Sequence, residues 1–320
     1  MVAVGLVEVV VVAASVKLLH IVKLVYNYFL RGPKRLVKYG EWAVVTGATD
    51  GIGKAYAFEL ARQGLSVFLL ARNEEKLVGV EQELKQKYPT LKFDHAKVDF
   101  AAFDTKARAM VKAKLQPLDI GLLVNNVGVS YPFAKYFHEL KDNEVVDILE
   151  VNMTSVTWMS RIVLGDIDEE GKPTSGMLAR RRGAIVNTSS VGGLITSPLL
   201  AEYSGAKSYV ELFSRGLSAE LKPKGIDVQV QTPCFVTTKM SKIRKASLTV
   251  PSAEDYVRAA TKQIGYGASV SPYWTHALQI YLLSWVPESW AVSYVNKLHQ
   301  DIRKRGIKKE KGQQEDKKGQ

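Results

Sequence analysis

The stretch TGATDGIG, residues 46–53, stands between an apolar run at 42–45 and a helix-like run at 54–63. That order puts three glycines in a strand-to-helix turn, where backbone has to come close to a ligand. Gly47 suits the tight turn and Gly51 leaves room for a pyrophosphate. Gly53 lets helix and strand pack together, with the helix N-terminus aimed at negative charge. The stretch predicts a dinucleotide site.

Outward from this turn, residues 42–240 alternate strand-like and helix-like runs. Strands are expected at 42–45, 66–71, 92–98, 120–125, 183–188 and 227–232, with helical patterns at 74–88, 105–115, 144–164 and 203–222 among the segments between them. Six strands alternating with helices predict an α/β fold, a doubly wound parallel sheet of Rossmann type. Ligands of such sheets bind beyond the carboxyl ends of the strands, so the residues just after each strand become candidates. Arg72 follows the second strand, where an acid would hold a ribose 2′-hydroxyl and an arginine accommodates a 2′-phosphate. It favours NADPH over NADH; a surface arginine capping the next helix is the plain alternative, and Asp50 inside the turn adds opposing negative charge. Asp99 after the third strand either accepts from an adenine amino group or caps the following helix. Asn125 and Asn126 close the fourth strand, where side-chain amides brace the sheet edge, and Gly128 permits close approach of a ribose.

The fifth strand runs into Ser189-Ser190, and thirteen residues after Ser190 comes Tyr203-Ser-Gly-Ala-Lys207. Tyrosine and lysine four apart share a helix face. A phenol is a poor acid at neutral pH, and a nearby ammonium is expected to lower its pKa. Tyr203 would then donate a proton to a carbonyl oxygen that Ser190 also holds, and Asn152 would hold a water linking Lys207 to solvent. The spacing also occurs at Tyr88/Lys92 and Tyr131/Lys135, but only the third pair follows a strand-end serine at a loop-sized distance.

The ends of the chain carry a different signal. The 320 residues have a formal net charge of +12 and one cysteine, Cys234, which rules out an intramolecular disulfide. The basic tail has no interleaved aromatics, so nucleic acid is not expected; an anionic membrane surface or an acidic substrate fits better. Residues 2–30 are rich in Val and Leu and are expected to span a membrane or lie on it, with Tyr26, Tyr28 and the Arg31–Lys38 group as an interface belt and basic flank. Residues 273–295 are apolar and rich in Trp and Tyr, and read as a membrane-lying or substrate-entry segment or as a buried helical cap. The chain therefore divides into a membrane-anchoring segment (1–38), a dinucleotide-binding catalytic domain (39–250), a substrate-side C-terminal region (251–300) and a polar basic tail (301–320) expected to be disordered. Lys317 and Lys318 match a dilysine retrieval signal of endoplasmic-reticulum membrane proteins. Asn152 and Asn187 sit in glycosylation acceptor patterns, but the expected fold puts both inside the catalytic domain, where a glycan could not fit, so neither is expected to be modified.

TGATDGIG (46–53), NNVG (125–128), Asn152, Ser190 and YSGAK (203–207) together resemble the short-chain dehydrogenase/reductase superfamily over residues 42–250. The resemblance implies hydride transfer between nicotinamide and a carbonyl carbon, with Tyr203 as acid, Lys207 as its tuner and ribose anchor, Ser190 as oxygen clamp and Asn152 as relay. It implies cofactor contacts at Val45, Gly47, Gly51, Ile52, Gly53, Arg72, Asp99, Asn125, Tyr203 and Lys207, and at Pro233, Val236 and Thr238 after the sixth strand. FLRGPKRLVKYGEWAVVTG (29–47), SYPFAKYFHEL (130–140), TKMSKIRKAS (238–247) and SPYWTHAL (271–278) further resemble very-long-chain 3-oxoacyl-CoA reductases of fatty-acid elongation, in particular plant-type ones. That narrower likeness implies an NADPH-dependent reduction of long-chain acyl-CoA on the cytosolic face of the endoplasmic reticulum, beside other elongation enzymes, by a chain that can dimerise through the helices bearing Asn152 and Tyr203. Lys242, Arg244 and Lys245 would meet the CoA polyphosphate or be merely solvated. A 17β-hydroxysteroid or similar lipophilic dehydrogenase is the alternative, and a non-catalytic membrane scaffold the remote one. The loop 165–175 looks like an insertion in this pattern.

Overall fold

Strands buried on both faces are expected to be mainly apolar, and the central ones are, with Thr46, Ser66, Asn125, Asn187 and Thr188 as polar exceptions near their ends. In the computed structural model, which describes residues 11, 15, 18, 19 and 21–318, β1 (Trp42–Thr46), β2 (Ser66–Ala71), β4 (Ile120–Asn125) and β5 (Gly183–Thr188) are buried at every position. With β3 (Phe93–Lys97), β6 (Ile226–Gln231) and β7 (Ser269–Val270) they form one parallel sheet in the order β3-β2-β1-β4-β5-β6-β7. The seventh strand was not expected. It has two residues, too few for a periodic signal, and is held by Val230 N–H to Ala268 O (2.7 Å) and Thr232 N–H to Val270 O (2.9 Å).

Helices cover both faces. Tyr56 and Leu60 of α1 (Gly51–Arg62), Leu77 and Leu84 of α2 (Glu74–Lys87) and Tyr256 and Val257 of α8 (Ala253–Gln263) share one core with β1 and β2. The other face buries Val111 of α3 (Thr105–Leu115) and Met159 and Val163 of α5 (Ser155–Leu164) against Val44, Phe68 and Leu123. The helix expected at 144–164 is α4 (Asp142–Leu149) continued into α5 through a π-helical turn, Glu150–Thr154. A five-residue α6 (Gly176–Arg180) leads into β5, and α7 (Ala201–Leu221) carries Tyr203 and Lys207. Residues 251–270 supply α8 and β7 to the same sheet, and the loop 165–175 closes on itself through an antiparallel bridge between Ile167 and Pro173.

Because β2 and β3 lie on one side of β1 and β4 to β7 on the other, the direction in which successive strands are added reverses between β1 and β4. The crevice beyond their carboxyl ends is where such sheets bind ligands, and it is flanked by the glycine turn after β1 and by Asn126–Gly128 after β4.

About half of residues 2–30, the expected membrane stretch, falls outside the described residues, and among those described no helix is long and apolar enough to cross a membrane. Its basic flank is partly spent on the protein. Arg31 hydrogen-bonds Gln263 and lies 3.8 Å from the centre of the Tyr266 ring, and Lys34 pairs with Asp227 at 3.1 Å. The segment 273–295 forms α9 (Trp274–Leu283) and the start of α10 (Glu288–Lys318). The tail past Asp301 is helical where disorder was expected. Its polar composition hides an inward ridge, Val295, His299, Arg303 and Gly306, at helical spacing.

Candidate active site

The glycine turn is built as a ligand cradle. Gly47 and Gly51 sit at φ +67 and +50, backbone that side chains resist. A Cβ on Gly53 would fall 2.1 Å from Gly47 O, so only glycine lets α1 approach the turn. Gly47 N–H bonds Leu70 O at 2.7 Å, which sets the turn beside the end of β2 and Arg72. Arg72 is exposed and has neither an ion pair nor a hydrogen bond among the described residues. Asn73, not Arg72, caps α2 by accepting from Lys76 N–H. Asp50 accepts from Gly51 N–H at 2.8 Å and is paired with Lys239 from the segment after β6. Partial burial pushes the Asp50 carboxyl up, but Lys239 and the Gly51 N–H outweigh it and hold it below the ordinary carboxylate range. Its charge is thus already countered beside the phosphate position. Thr238 closes the cradle, its Cγ2 lying 3.2 Å from where a Gly51 Cβ would be.

At the other end of the crevice, three serines stitch the loop after β5 to α7. Ser189 Oγ donates to Lys207 O (2.8 Å), Ser208 Oγ to Gly193 O (2.7 Å), and Ser204 Oγ to Gly192 O. The contact is so close that a Cβ on Gly193 would lie 2.6 Å from the Lys207 carbonyl carbon. This brings Ser190, which accepts from Gly192 N–H (3.2 Å), against Tyr203: a Cβ on Gly192 would lie 3.7 Å from Ser190 Oγ and 3.8 Å from Tyr203 Cε1. Lys207 Nζ donates to Thr188 O (3.0 Å) and lies 5.9 Å from the Tyr203 ring centre. Neighbouring Thr188 Oγ1 is buried with no hydrogen-bond partner among the described residues, an orphan that a ligand hydroxyl would satisfy.

The electrostatics differ from expectation. Burial raises the Tyr203 phenol above its ordinary value, with the Ser190 hydroxyl hydrogen-bonded to it pulling the other way. Burial also lowers the Lys207 ammonium to about 8. Desolvation therefore outweighs attraction between the two groups. The phenol stays protonated at neutral pH, which is the form that donates to a carbonyl. Asn152 is corrected in detail too. Its Nδ2 donates to Val129 O (3.0 Å) and Ile148 O (3.1 Å), while Oδ1 accepts from Val129 N–H (3.2 Å). Both amide protons are spent, and only a lone pair on Oδ1 remains for a water. Asn152 and Lys207 converge on Gly128, where a Cβ would lie 2.9 Å from Oδ1 and 3.4 Å from Nζ.

The remaining candidates divide. Ile52 is part-exposed in the cradle, Asp99 is exposed and caps the 3-10 turn Phe100–Ala102 through Ala101 N–H, and Pro233 O accepts from Val191 N–H (2.9 Å), tying the two loops together. Val45 and Val236 are buried at 0% and 4% exposure and support their turns from beneath. Asn125 is buried, its amide donating to Asn187 Oδ1 (2.8 Å) and Ser160 Oγ (3.2 Å), so its side chain braces β4 on β5. Sequence reasoning passed over Ser189, Ser204, Ser208 and Gly193; the i, i+4 serines on α7 and the doubled glycine were the signal. An open groove of about 2130 Å³ runs from the cradle along α1 and α8, and Tyr203 and Ser190 lie beyond its end.

The family model for short chain dehydrogenase matches residues 41–248. A very-long-chain 3-oxoacyl-CoA reductase-like protein of Arabidopsis thaliana is 43% identical over 270 residues, 82% of each chain. The very-long-chain 3-oxoacyl-CoA reductase of Homo sapiens is 40% identical over 274 residues, 85% of this chain and 84% of its own. A short-chain dehydrogenase from Sphingobium yanoikuyae, solved in complex with NADPH, superposes with a TM-score of 0.60 at 25% identity over 70% of this chain and 84% of its own.

Proposed function

The chain belongs to the short-chain dehydrogenase family, and from that premise we propose that it reduces very-long-chain 3-oxoacyl-CoA to 3-hydroxyacyl-CoA with NADPH. The observation that carries the chemistry is the convergence of Ser190, Tyr203 and Lys207 at the open end of the sheet crevice. When bound, NADPH supplies the hydride that reaches C3 of the substrate. Gly47, Gly51 and Gly53 would make room for its pyrophosphate at the α1 N-terminus, and the exposed Arg72 would meet a 2′-phosphate. The Tyr203 hydroxyl gives its proton to the 3-oxo oxygen while Ser190 donates a hydrogen bond to the same atom. Lys207 keeps a positive charge beside the phenolate that forms, and Asn152 fixes the Val129 backbone next to Lys207.

The acyl-CoA substrate is supported by the names of the relatives. Attachment to the endoplasmic-reticulum membrane, with the catalytic domain cytosolic, is supported by the apolar residues at 2–30 and by Lys317 and Lys318. Contact with other elongation enzymes is part of the same reading. A homodimer through α4, α5 and α7 is supported by Leu212, 70% exposed on α7. The test is NADPH and NADH oxidation with a long 3-oxoacyl-CoA and with estrone. NADPH-dependent turnover of the thioester is expected; turnover of estrone alone rejects the assignment. Unchanged product formation by Tyr203→Phe rejects catalysis by this constellation.

A further inference from the structure

The α9–α10 hairpin is fastened to both loops that border Tyr203. On α9, Thr275 Oγ1 donates to Leu248 O (3.0 Å) and the buried His276 takes Cys234 N–H at Nδ1 (3.3 Å), which ties it to the segment after β6. On α10, Glu288 accepts from Thr196 Oγ1 (3.0 Å) and His299 Nδ1 lies 2.6 Å from Pro198 O, both between Ser190 and Tyr203. Beside these contacts the hairpin exposes apolar side chains. Leu278 and Leu282 form one ridge on α9, and Trp290 and Tyr294, 71% and 69% exposed, form another on α10, with Val286 in the connection. Trp274 extends the first ridge and meets Phe29 at 6.0 Å between ring centres, so the ridge continues into the chain that follows residues 21–28. Beyond Tyr294 the same helix side turns basic, with Lys297, Lys304 and Lys308 exposed and Asp301, 3.7 Å from Lys304 Nζ, as the acid among them.

Aliphatic side chains, then an exposed tryptophan and tyrosine, then lysines match the depth profile of a bilayer: acyl chains, the interfacial belt and anionic headgroups. A protein partner would need no such order. We propose that these exposed side chains of α9–α10 lie on an anionic lipid bilayer, a contact additional to residues 2–30 and continuous with them at Phe29, and set the substrate mouth at the membrane surface. An acyl chain then passes from lipid to Ser190 and Tyr203 without crossing water; this last step rests on the acyl-CoA reading above, whereas the lipid contact does not.

The test uses the full chain on phosphatidylcholine–phosphatidylserine vesicles whose acyl chains carry bromine, a short-range quencher of tryptophan. Trp290→Phe is expected to remove part of the quenched emission. In a second arm, Trp290→Glu with Tyr294→Glu is expected to lower kcat/KM about tenfold for a long-chain substrate presented in vesicles. Turnover of a short, water-soluble 3-oxoacyl-CoA stays unchanged. Because residues 2–30 can keep the protein on vesicles, the readouts are quenching and substrate ratio rather than binding. Quenching that is the same with and without Trp290 overturns the proposal, as it would if a second copy or residues 1–20 cover the face. Quenching at Trp290 with no turnover of either thioester upholds the lipid contact and sinks the acyl-CoA reading instead.

Discussion

Lys207 is a charged group kept where burial disfavours charge. Its folded value is about 8 against an ordinary 10.5, so carrying the ammonium at neutral pH costs on the order of 3 kcal/mol of folding stability. The sign is that of a depressed cation: the unfolded chain binds more protons between these values, so stability rises as pH climbs from about 8 toward 10.5. Removal of the charge by Lys207→Met is therefore expected to raise the thermal midpoint at pH 7 while abolishing most turnover. A lowered midpoint would show that its bond to Thr188 O outweighs desolvation. Since Tyr203 stays protonated through this range, the pH profile of kcat/KM for reduction should show one descending limb, starting at about pH 8 and falling about tenfold per unit. A profile flat to about pH 9.5 would remove the ammonium from the mechanism. The identity of these groups was legible in the sequence as a serine, a tyrosine and a lysine at loop and helix spacings. The direction of the phenol shift was not, because desolvation depends on what surrounds a pair and not on its spacing.

At the scale of elements, a motif set aside in the sequence supports the one that matters. Tyr131 and Lys135 repeat the Tyr-x-x-x-Lys spacing without a preceding serine, yet the structure places them against the site. The Tyr131 hydroxyl accepts from Glu202 N–H (3.0 Å) and Tyr203 N–H (3.4 Å), and Lys135 pairs with Glu144 at 2.6 Å. Leu200 at the N-cap of α7 has no side-chain acceptor, so a phenol from another segment satisfies the first amides of the helix that carries Tyr203. Tyr131→Phe is expected to cost about 1 kcal/mol in stability, the usual value of a cap. It should lower kcat about fivefold to tenfold with KM for NADPH unchanged, because it loosens Tyr203 and leaves the glycine cradle alone. Loss of stability with full kcat would make the bond a cap and nothing more. The parallel sheet and its helices were legible from apolar runs and turn glycines. β7 and the serine stitching of α7 were not, since two residues carry no period and hydroxyl partners are set by the tertiary fold.

For the whole molecule, the question is what holds the C-terminal helix against the body of the fold. A run of lysines, glutamines and acids past residue 301 reads as solvated chain, and composition alone cannot separate that from a docked helix with one narrow inward ridge. The ridge ends at Gly306, a residue that weakens a helix interior by about 1 kcal/mol relative to alanine. Its presence has a steric reason: a Cβ there would fall 2.4 Å from Phe133 Cγ, inside the segment that also supplies Tyr131. One turn earlier Arg303 grips Glu139 with both terminal nitrogens and lies 5.1 Å from the Tyr136 ring centre. Gly306→Ala therefore sets helix propensity against a clash with the base of an aromatic side chain, which cannot swing clear as a chain end would. The clash is expected to win locally. Amides of 299–312 should exchange with solvent faster, with those of β1, β4 and β5 unchanged and KM for a long-chain substrate raised. If exchange in 299–312 slows instead, propensity has won, and the close packing of α10 on Phe133 is not what fastens the helix to the body of the fold.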